Sequence, residues 1–229
     1  MLKIKDDFLA IIPARKGSKR IKNKNRLIVK GKKLIEHSLD AAIKSKFIND
    51  IVVSSDDQKI LNLSKKYKEI TFLKRKKYLS TDNATTTAVI YDLIKNYPNL
   101  KKKYIILLQP TSPLREVKHI DDAIKKFINR RNAYDSLVSV CKVEEPHPYK
   151  MKKIINGKLV SFIRGKSSEK SRQELPNAYF LNGAIYIIET NVFIRKKSFF
   201  SKTMPYIMSN KYSINLDTPL DLEYLNIIK

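Results

Sequence analysis

The sequence predicts an α/β fold in which a mostly parallel sheet is covered by helices on both faces. Three observations support this prediction. Short apolar runs alternate along the chain with longer amphipathic segments, which is typical of βαβ units. The early apolar runs lack polar alternation, as strands buried on both faces do. The chain has 229 residues, 42% of them hydrophobic, which is enough for one sizeable core.

The predicted elements follow one another in a regular order. The strands are expected at residues 8–12, 50–55, 70–73, 104–109 and 135–143. The helices between them are expected at residues 34–46, 58–67, 86–96 and 116–129. A last helix is expected from about residue 219 to 228, with Thr218 or Asp217 as its N-cap and Pro219 at its first position.

Residues 146–171 interrupt this alternation and predict a small antiparallel excursion. Within it, residues 153–163 have the pattern of a hairpin, with Asn156 and Gly157 at the turn. Such an excursion could overhang a site at the edge of the sheet or pair with another subunit. No internal repeat, linker or low-complexity tract divides the chain. Residues 1–229 are therefore predicted to form one domain that contains the excursion.

The formal net charge of +25 raises the question of a nucleic-acid partner. The lysines are spread along the whole chain, and no helix-turn-helix, zinc finger or aromatic-basic RNA motif accompanies them. No apolar run approaches the roughly 20 residues of a membrane-spanning helix. The one cysteine, Cys141, cannot form an internal disulfide and fits a reducing compartment. We expect a cytoplasmic protein that binds neither nucleic acid nor a membrane.

The stretch IIPARKGSKR, residues 11–20, joins a predicted buried strand to a short basic loop. Arg15, Ser18 and Lys19 surround Gly17, and ligands of parallel sheets bind at the carboxyl ends of the strands. The loop lacks the Gly-Lys-Ser/Thr end of a Walker A motif and the GxGxxG dinucleotide fingerprint. Its cations, hydroxyl group and small residue nevertheless suit phosphate oxygens. The loop predicts a phosphate-binding site, and a basic surface loop is the alternative.

Further stretches accompany this loop, in the order KNKN (22–25), SSDD (54–57), LLQPTSPLR (107–115), RQELPNAYFLNGAIYI (172–187) and INLDTPLDL (214–222). Together they resemble the CMP-sialic acid synthetases, or acylneuraminate cytidylyltransferases, in order and spacing over essentially the whole chain. The resemblance implies a nucleotide-diphospho-sugar transferase-like fold with a dimerisation excursion, hence a homodimer. It also implies an enzyme that transfers CMP from CTP to the anomeric hydroxyl of a nonulosonic acid and releases pyrophosphate.

The resemblance further implies a set of site residues. The residues expected to bind CTP are Arg15, Ser18, Lys19, Lys24, Asn25, Arg75, and Thr85 or Thr86 near the base. The residues expected on the sugar side are Gln109, Lys150, Arg172, Asn182, Tyr186, Phe199 and Phe200, the last two reaching toward a neighbouring subunit's site. Arg172 suits the sugar carboxylate because its planar fork allows bidentate pairing. Catalysis is expected from Arg15, Lys24, Gln109 and Asp217.

The expected cofactor is Mg²⁺, and the sequence departs from the family at its site. The family pattern is Asp-x-Asp, whereas this chain has Asn215 and Asp217. An amide oxygen can still coordinate Mg²⁺, but the site loses one negative charge. The departure leaves open a catalytically weak relative that binds the nucleotide. The sugar also stays open among N-acetylneuraminic, legionaminic, pseudaminic and other 2-keto sugar acids.

Several of these residues have a structural alternative. Asp56 and Asp57 are expected to cap the helix that follows them. Asn182 could serve only to form a turn with Gly183. None of the three histidines is well placed as a general base, and His147, between two prolines, is expected to have a loop role.

Overall fold

The computed structural model describes residues 7–18, 20–163 and 169–228. The strands are β1 (Phe8–Pro13), β2 (Ile28–Val29), β3 (Lys32–Lys33), β4 (Asp50–Ser55), β5 (Ile70–Lys74), β6 (Tyr104–Leu107), β7 (Ser136–Lys142), β8 (Lys152–Ile155), β9 (Lys158–Ser161), β10 (Tyr179–Glu189) and β11 (Thr203–Met208). The α-helices are α1 (Leu34–Lys44), α2 (Gln58–Leu61), α3 (Thr86–Asn96), α4 (Val117–Arg130), α5 (Thr190–Lys196) and α6 (Pro219–Ile227).

Seven strands form one sheet in the order β11-β7-β10-β6-β1-β4-β5. The strands β1, β4, β5 and β6 are parallel, with Leu9 facing Asp50 on one side and Ile105 on the other. Only β10 runs against its neighbours β6 and β7, and β11 is parallel to β7. The predicted mostly parallel sheet is therefore confirmed.

Side chains of β1 alternate between two buried clusters, one on each face of the sheet. Ala10 and Ile12 belong to the cluster that includes residues of α1 and α4. Leu9 and Ile11 belong to the cluster that includes residues of α3 and α5. A strand that is buried on both faces needs apolar residues at every position, which explains the uninterrupted run that the sequence shows.

The helix caps follow the predicted chemistry. Thr218 accepts a hydrogen bond from the Asp221 N–H, and Pro219 occupies the first turn of α6. Asp57 accepts the Lys59 N–H at the start of α2. The helix predicted over residues 58–67 is shorter than expected, because α2 gives way to a 3₁₀ turn at Asn62–Lys65.

The predicted hairpin is present as β8 and β9, which form a two-stranded sheet of their own within the described part of the chain. Its turn places Asn156 at φ 50° and Gly157 at φ 74°, as a two-residue turn with left-handed backbone requires. Ile154 and Leu159 are 75% and 70% exposed. The surrounding excursion, residues 146–171, includes residues 164–168, which lie outside the described residues.

Among the described residues, no helix is long and apolar enough to cross a lipid bilayer.

Candidate active site

A cleft of about 350 Å³ opens at the carboxyl ends of β1, β5 and β6. The residues that line it are Pro13, Arg15, Gly17, Ser18, Lys24, Asn25, Arg75, Asp82, Ala84, Thr86, Val89, Gln109, Pro110, Thr111, Asn215 and Asp217. This is the edge at which parallel α/β sheets bind their ligands. The structure therefore brings the basic loop together with residues that are up to about two hundred positions away in the sequence.

Side chains of neighbouring residues hold the basic loop after β1 in place through hydrogen bonds to its backbone. The Asn25 side chain donates from Nδ2 to the Arg15 carbonyl at 2.9 Å, and Asp56 Oδ1 accepts the Lys16 N–H at 2.7 Å. The Ser55 hydroxyl donates to the Ala14 carbonyl at 2.6 Å. Apart from its chain neighbours, no atom of the described residues lies within 4 Å of where a Cβ would stand on Gly17, so the loop borders open space there. Lys19 lies outside the described residues.

Two cations of the cleft are paired with carboxylates. Arg15 Nη1 lies 2.8 Å from Asp82 Oδ1 and donates to the Thr81 carbonyl at 3.0 Å. Lys24 Nζ lies 2.8 Å from Asp217 Oδ1. Partly exposed pairs of this kind contribute about 0–1 kcal/mol each. A polyphosphate, which carries several negative charges, can therefore compete for both cations.

Arg75 lies at the base of the cleft and is buried. Its Nη2 donates to the Ser54 carbonyl at 2.7 Å and its Nε to the Ser54 hydroxyl at 3.2 Å. Burial lowers the pKa of the guanidinium to about 10, and the nearby positive charge of Arg15 acts in the same direction against the opposing effect of Asp56. The orientation of Arg75 is thus fixed by the end of β4.

The structure separates the two threonines that the sequence left as alternatives. Thr85 Oγ1 accepts the Ala88 N–H at 3.1 Å and is the N-cap of α3. Thr86 lines the cleft, and Thr85 is not among the lining residues.

The side chains of Gln109 and Asn215 both approach Gly183, which has φ +70°. A Cβ on Gly183 would lie 2.9 Å from Gln109 Oε1 and 3.2 Å from Asn215 Nδ2. The left-handed backbone conformation favours glycine here, and any side chain would also displace the Gln109 amide. The Ser112 hydroxyl donates to Asn215 Oδ1 at 2.7 Å and fixes that amide.

Asn182 is fully buried behind this point. Its Oδ1 accepts the Ser139 hydroxyl at 2.6 Å and the Ala184 N–H at 3.3 Å, while its Nδ2 donates to Ser213 Oγ at 2.9 Å. It sits at the irregularity where the pairing of β10 with β7 shifts register, between Leu181 and Tyr186. This geometry gives Asn182 a supporting position inside β10, so it does not form the turn with Gly183 that the sequence offered as an alternative.

The aromatic residues predicted on the sugar side lie in different environments, some buried and one exposed. Tyr186 contacts Phe199 edge to face at 5.5 Å, and burial raises the pKa of the Tyr186 phenol. Phe199 is 4% exposed and packs on Phe193 within its own chain. The expectation that Phe199 reaches toward another subunit is therefore wrong. Phe200 is 56% exposed, so only this ring of the pair points outward.

Lys150 and Arg172 do not line the described cleft. Lys150 is exposed at the end of the 3₁₀ turn Pro148–Lys150. Arg172 is half-buried, and its Nη2 donates to the Val143 carbonyl. Residues 164–168, which lie between them in the sequence, fall outside the described part of the chain.

Asp217 and Asn215 offer a carboxylate and an amide oxygen at the rim of the cleft. Mg²⁺ takes oxygen ligands, keeps several waters and is usually held by one or two carboxylates plus substrate phosphates, so this donor pair fits it. Within residues 7–18, 20–163 and 169–228, no group of three or more His, Cys, Asp or Glu residues could hold a metal by itself. A cation here would need the oxygens of a bound substrate.

The neighbouring Asp221 serves the helix rather than the cleft. Its Oδ2 accepts the N–H groups of Asp217 and Thr218 and the Thr218 hydroxyl, at 2.9, 2.6 and 2.9 Å. Burial opposes ionisation, but these hydrogen bonds outweigh it and hold the pKa of the Asp221 carboxyl below its usual value.

The three histidines lie outside the cleft lining. His37 contacts the Val29 carbonyl through Nε2, and His147 caps the turn before Tyr149. His119 packs against Tyr212 with ring centroids 4.5 Å apart. The expectation that none of them is placed as a general base agrees with this arrangement.

Sequence reasoning assigned no role to Asp82, Ser112 or Arg115. Asp82 lies in the segment between Arg75 and Thr85, and Ser112 and Arg115 belong to the PTSPLR stretch. Position in these segments was the only available signal, because each residue acts through a contact that is distant in sequence.

Comparison with known proteins identifies the family of this chain. The chain matches the cytidylyltransferase family over residues 9–226. It is 36% identical over 213 residues to an N-acylneuraminate cytidylyltransferase of Streptococcus agalactiae, covering 92% of this chain and 50% of that protein. The chain thus spans about half the length of that relative.

A second relative has a similar length to this chain. The CMP-N,N'-diacetyllegionaminic acid synthase of Legionella pneumophila is 34% identical over 218 residues, covering 93% of this chain and 92% of that protein. A CMP:2-keto-3-deoxy-manno-octonic acid synthetase complexed with CTP has a similar fold, with a TM-score of 0.69 at 16% identity, covering 96% of this chain and 97% of that one.

Proposed function

This chain belongs to the cytidylyltransferase family, and we propose from this premise that it transfers CMP from CTP to the anomeric hydroxyl of a nonulosonic acid, with release of pyrophosphate. One observation supports the proposal most strongly. The cations Arg15 and Lys24 line the same cleft as Gln109, Asn215 and Asp217. A polyphosphate and an uncharged hydroxyl nucleophile can therefore be held side by side.

At one end of the cleft, Arg15 and Lys24 would bind the triphosphate together with backbone N–H groups of the loop. Binding would replace the contacts to Asp82 and Asp217 with contacts to phosphate oxygens. Phosphoryl transfer leaves little covalent chemistry to the protein, so these cations act by holding the phosphates in line and neutralising their charge. Arg75 and Thr86, which also line the cleft, would contact the base.

At the other end, the Gln109 amide would orient the sugar hydroxyl toward the α-phosphorus. The new bond forms between that oxygen and the α-phosphorus, and the bond to the β-phosphate bridge breaks. The hydroxyl proton leaves to solvent or to the departing pyrophosphate, since no histidine lines the cleft. Ser112, which fixes Asn215, and Gly183, on which both amides rest, keep this end rigid.

Asp217 and Asn215 would hold Mg²⁺ beside the triphosphate. When bound, the ion supplies positive charge to phosphate oxygens and makes pyrophosphate easier to expel. Asp217 then has two alternative partners, Lys24 in the free protein and the cation in the loaded one.

The proposal is tested by measuring pyrophosphate release with CTP, Mg²⁺ and a panel of acceptors that contains N-acetylneuraminic, legionaminic and pseudaminic acids. We expect release only when CTP and one of these 2-keto sugar acids are both present. Release that is independent of the acceptor, or none with any acceptor, would contradict the proposed transfer.

The acceptor is proposed to be a sialic acid-type nonulosonic acid. The relatives named for N-acylneuraminate and for diacetyllegionaminate have similar sequence identities to this chain, 36% and 34%. Their acceptors share a carboxylate beside the anomeric carbon. The panel of acceptors, and not the shape of the cleft, therefore identifies which sugar acid is used.

A catalytically weak nucleotide-binding protein is the second candidate, favoured only by Asn215. Asn215→Asp is expected to shift the Mg²⁺ activation curve to roughly several-fold lower concentration, because a carboxylate attracts the cation more strongly than an amide. Titrating Mg²⁺ at fixed CTP measures this. An unmoved curve would place Asn215 outside the coordination shell.

We propose that Arg172 binds the sugar carboxylate after releasing the Val143 carbonyl. Arg172→Lys keeps the charge but loses the bidentate fork. The KM for the sugar is expected to rise about tenfold while the KM for CTP stays near that of the unmodified protein. A loss of CTP affinity instead would remove Arg172 from the sugar side.

We also propose a homodimer that uses the exposed hairpin and Phe200. Ile154, Leu159 and Phe162 form an apolar surface on the hairpin. Light scattering at micromolar concentration is expected to give about twice the chain mass of 26.6 kDa. Leu159→Lys should shift the mass toward the monomer, and a monomeric unmodified protein would contradict the proposal.

A cytoplasmic site of action is proposed as well, on the basis of the nucleotide substrate and the single free thiol of Cys141.

A further inference from the structure

Arg115 is a buried cation whose hydrogen-bond partners are all uncharged. Its Nη1 donates to the carbonyls of Ala184 and Gln109 at 2.8 and 3.1 Å, and its Nη2 donates to the Ser38 hydroxyl at 2.6 Å. Among the described residues no carboxylate forms a salt bridge with it, and its buried Nε has no hydrogen-bond partner. Burial lowers the pKa of the guanidinium to about 9.

A buried charge without a counter-charge destabilises the folded protein unless its hydrogen bonds are favourable. An apolar residue at this position would leave the two carbonyls and the Ser38 hydroxyl without this donor, which costs free energy. The guanidinium is therefore kept for what its acceptors need, and what these acceptors position decides its role.

The two carbonyl acceptors lie where the pairing between β6 and β10 ends. The last paired residues are Leu107 and Tyr186. Beyond them the two strands diverge, and Gln109 and Ala184 have no ladder hydrogen bond with each other. Arg115 spans this gap with one Nη1 atom that binds both carbonyls. It thus replaces the ladder at the point where the sheet opens to form the cleft.

The residues next to these two carbonyls form the sugar end of the cleft. Gln109 Oε1 rests against Gly183, the residue before Ala184, and Asn215 rests on the same glycine. The contact to Ser38, which also reaches toward the Gln109 carbonyl at 3.5 Å, ties the same point to α1. Fixing the two carbonyls consequently fixes the distance between the Gln109 amide and the Gly183 backbone.

We propose that Arg115 is a positioning residue for the sugar end of the cleft, acting through the main chain of Gln109 and Ala184. The inference rests on the proposed function, since the sugar end is defined by it. The CTP end is built from β1, β5 and α3, none of which Arg115 contacts. Its loss should therefore affect the two substrates unequally.

The test compares Arg115→Met, which keeps length but has no donors, with Arg115→Lys and with the unmodified protein. CTP affinity is measured by calorimetry without acceptor, and KM and kcat are measured with the best acceptor. For Arg115→Met we expect CTP affinity within about threefold of the unmodified value and kcat/KM for the sugar reduced at least about tenfold. Arg115→Lys, which can bind one or two of the three acceptors, should fall between them.

Phe127→Leu is the matched control, because Phe127 is a buried core residue of α4 outside the cleft lining. This variant should have a lower melting temperature but an unchanged kcat and KM for the sugar. Equal losses of CTP affinity and of sugar kcat/KM in Arg115→Met, or unchanged kinetics, would overturn the inference. If Arg115→Met does not fold, the same comparison applies to Arg115→Lys. An unmodified protein without turnover would contradict the proposed function instead, a separate outcome.

Discussion

Asp217→Ala is expected to lose at least about 100-fold in turnover, which corresponds to ~2.7 kcal/mol of transition-state stabilisation. Asp217 lines the cleft and pairs with Lys24, so its loss removes a carboxylate ligand of the proposed Mg²⁺ site and leaves Lys24 unanchored. The measurement is kcat at saturating CTP and acceptor over a range of Mg²⁺ concentrations.

The fold should survive this change. The Asp217 side chain is 49% exposed, and partly exposed ion pairs contribute about 0–1 kcal/mol. Asp217→Asn serves as the matched variant, because it keeps shape and one oxygen ligand, and it should retain more activity than Asp217→Ala. Near-normal turnover in a folded Asp217→Ala protein would show that the cation is held elsewhere.

Arg15→Ala is expected to lower kcat/KM for CTP at least about tenfold, or ~1.4 kcal/mol. Arg15 is held at the cleft by Asp82 and the Thr81 carbonyl, and its backbone carbonyl is anchored by Asn25. The guanidinium is thus close to its working position before CTP arrives, and its loss removes a charge that a triphosphate would bind.

Arg130→Ala is the control for general charge, because Arg130 is exposed at the end of α4 and outside the cleft lining. It removes the same charge from a chain with a net charge of +25 and should leave the CTP parameters unchanged. If both variants lose CTP affinity equally, long-range attraction rather than the loop binds the nucleotide. An unaffected Arg15→Ala would remove the loop from the site.

The strands of the parallel half could be predicted because burial on both faces leaves a continuous apolar run. The runs at residues 8–12 and 50–55 correspond to β1 and β4 within a residue. The reversed direction of β10 could not be read in this way, since an apolar run does not state which way a strand runs. Its neighbours β6 and β7 are set by contacts far apart in sequence.

The lining of the cleft could be predicted where it comes from one local stretch. Arg15, Ser18, Lys24 and Asn25 lie close together in the sequence and all line the cleft. Aromatic identity, by contrast, does not reveal burial, and Phe199 fills its own core beside Tyr186.

The contacts that the sequence could not indicate are those between distant segments. Arg115 reaches residues 69 and 77 positions away, at Ala184 and Ser38. The pair of Lys24 and Asp217 spans 193 positions. Only the folded sheet brings such groups together, so a single sequence carries no local pattern for them.

Position-specific labelling of CTP tests the central claim most directly. The protein is incubated with a 2-keto sugar acid, Mg²⁺ and CTP that is radiolabelled at either the α- or the γ-phosphorus, and the products are separated. We expect the α label in a nucleotide bound to the sugar and the γ label in pyrophosphate, in equal molar amounts. Transfer of the γ label to the sugar, or release of the α label as free CMP without a sugar conjugate, would contradict attack of the sugar hydroxyl on the α-phosphorus.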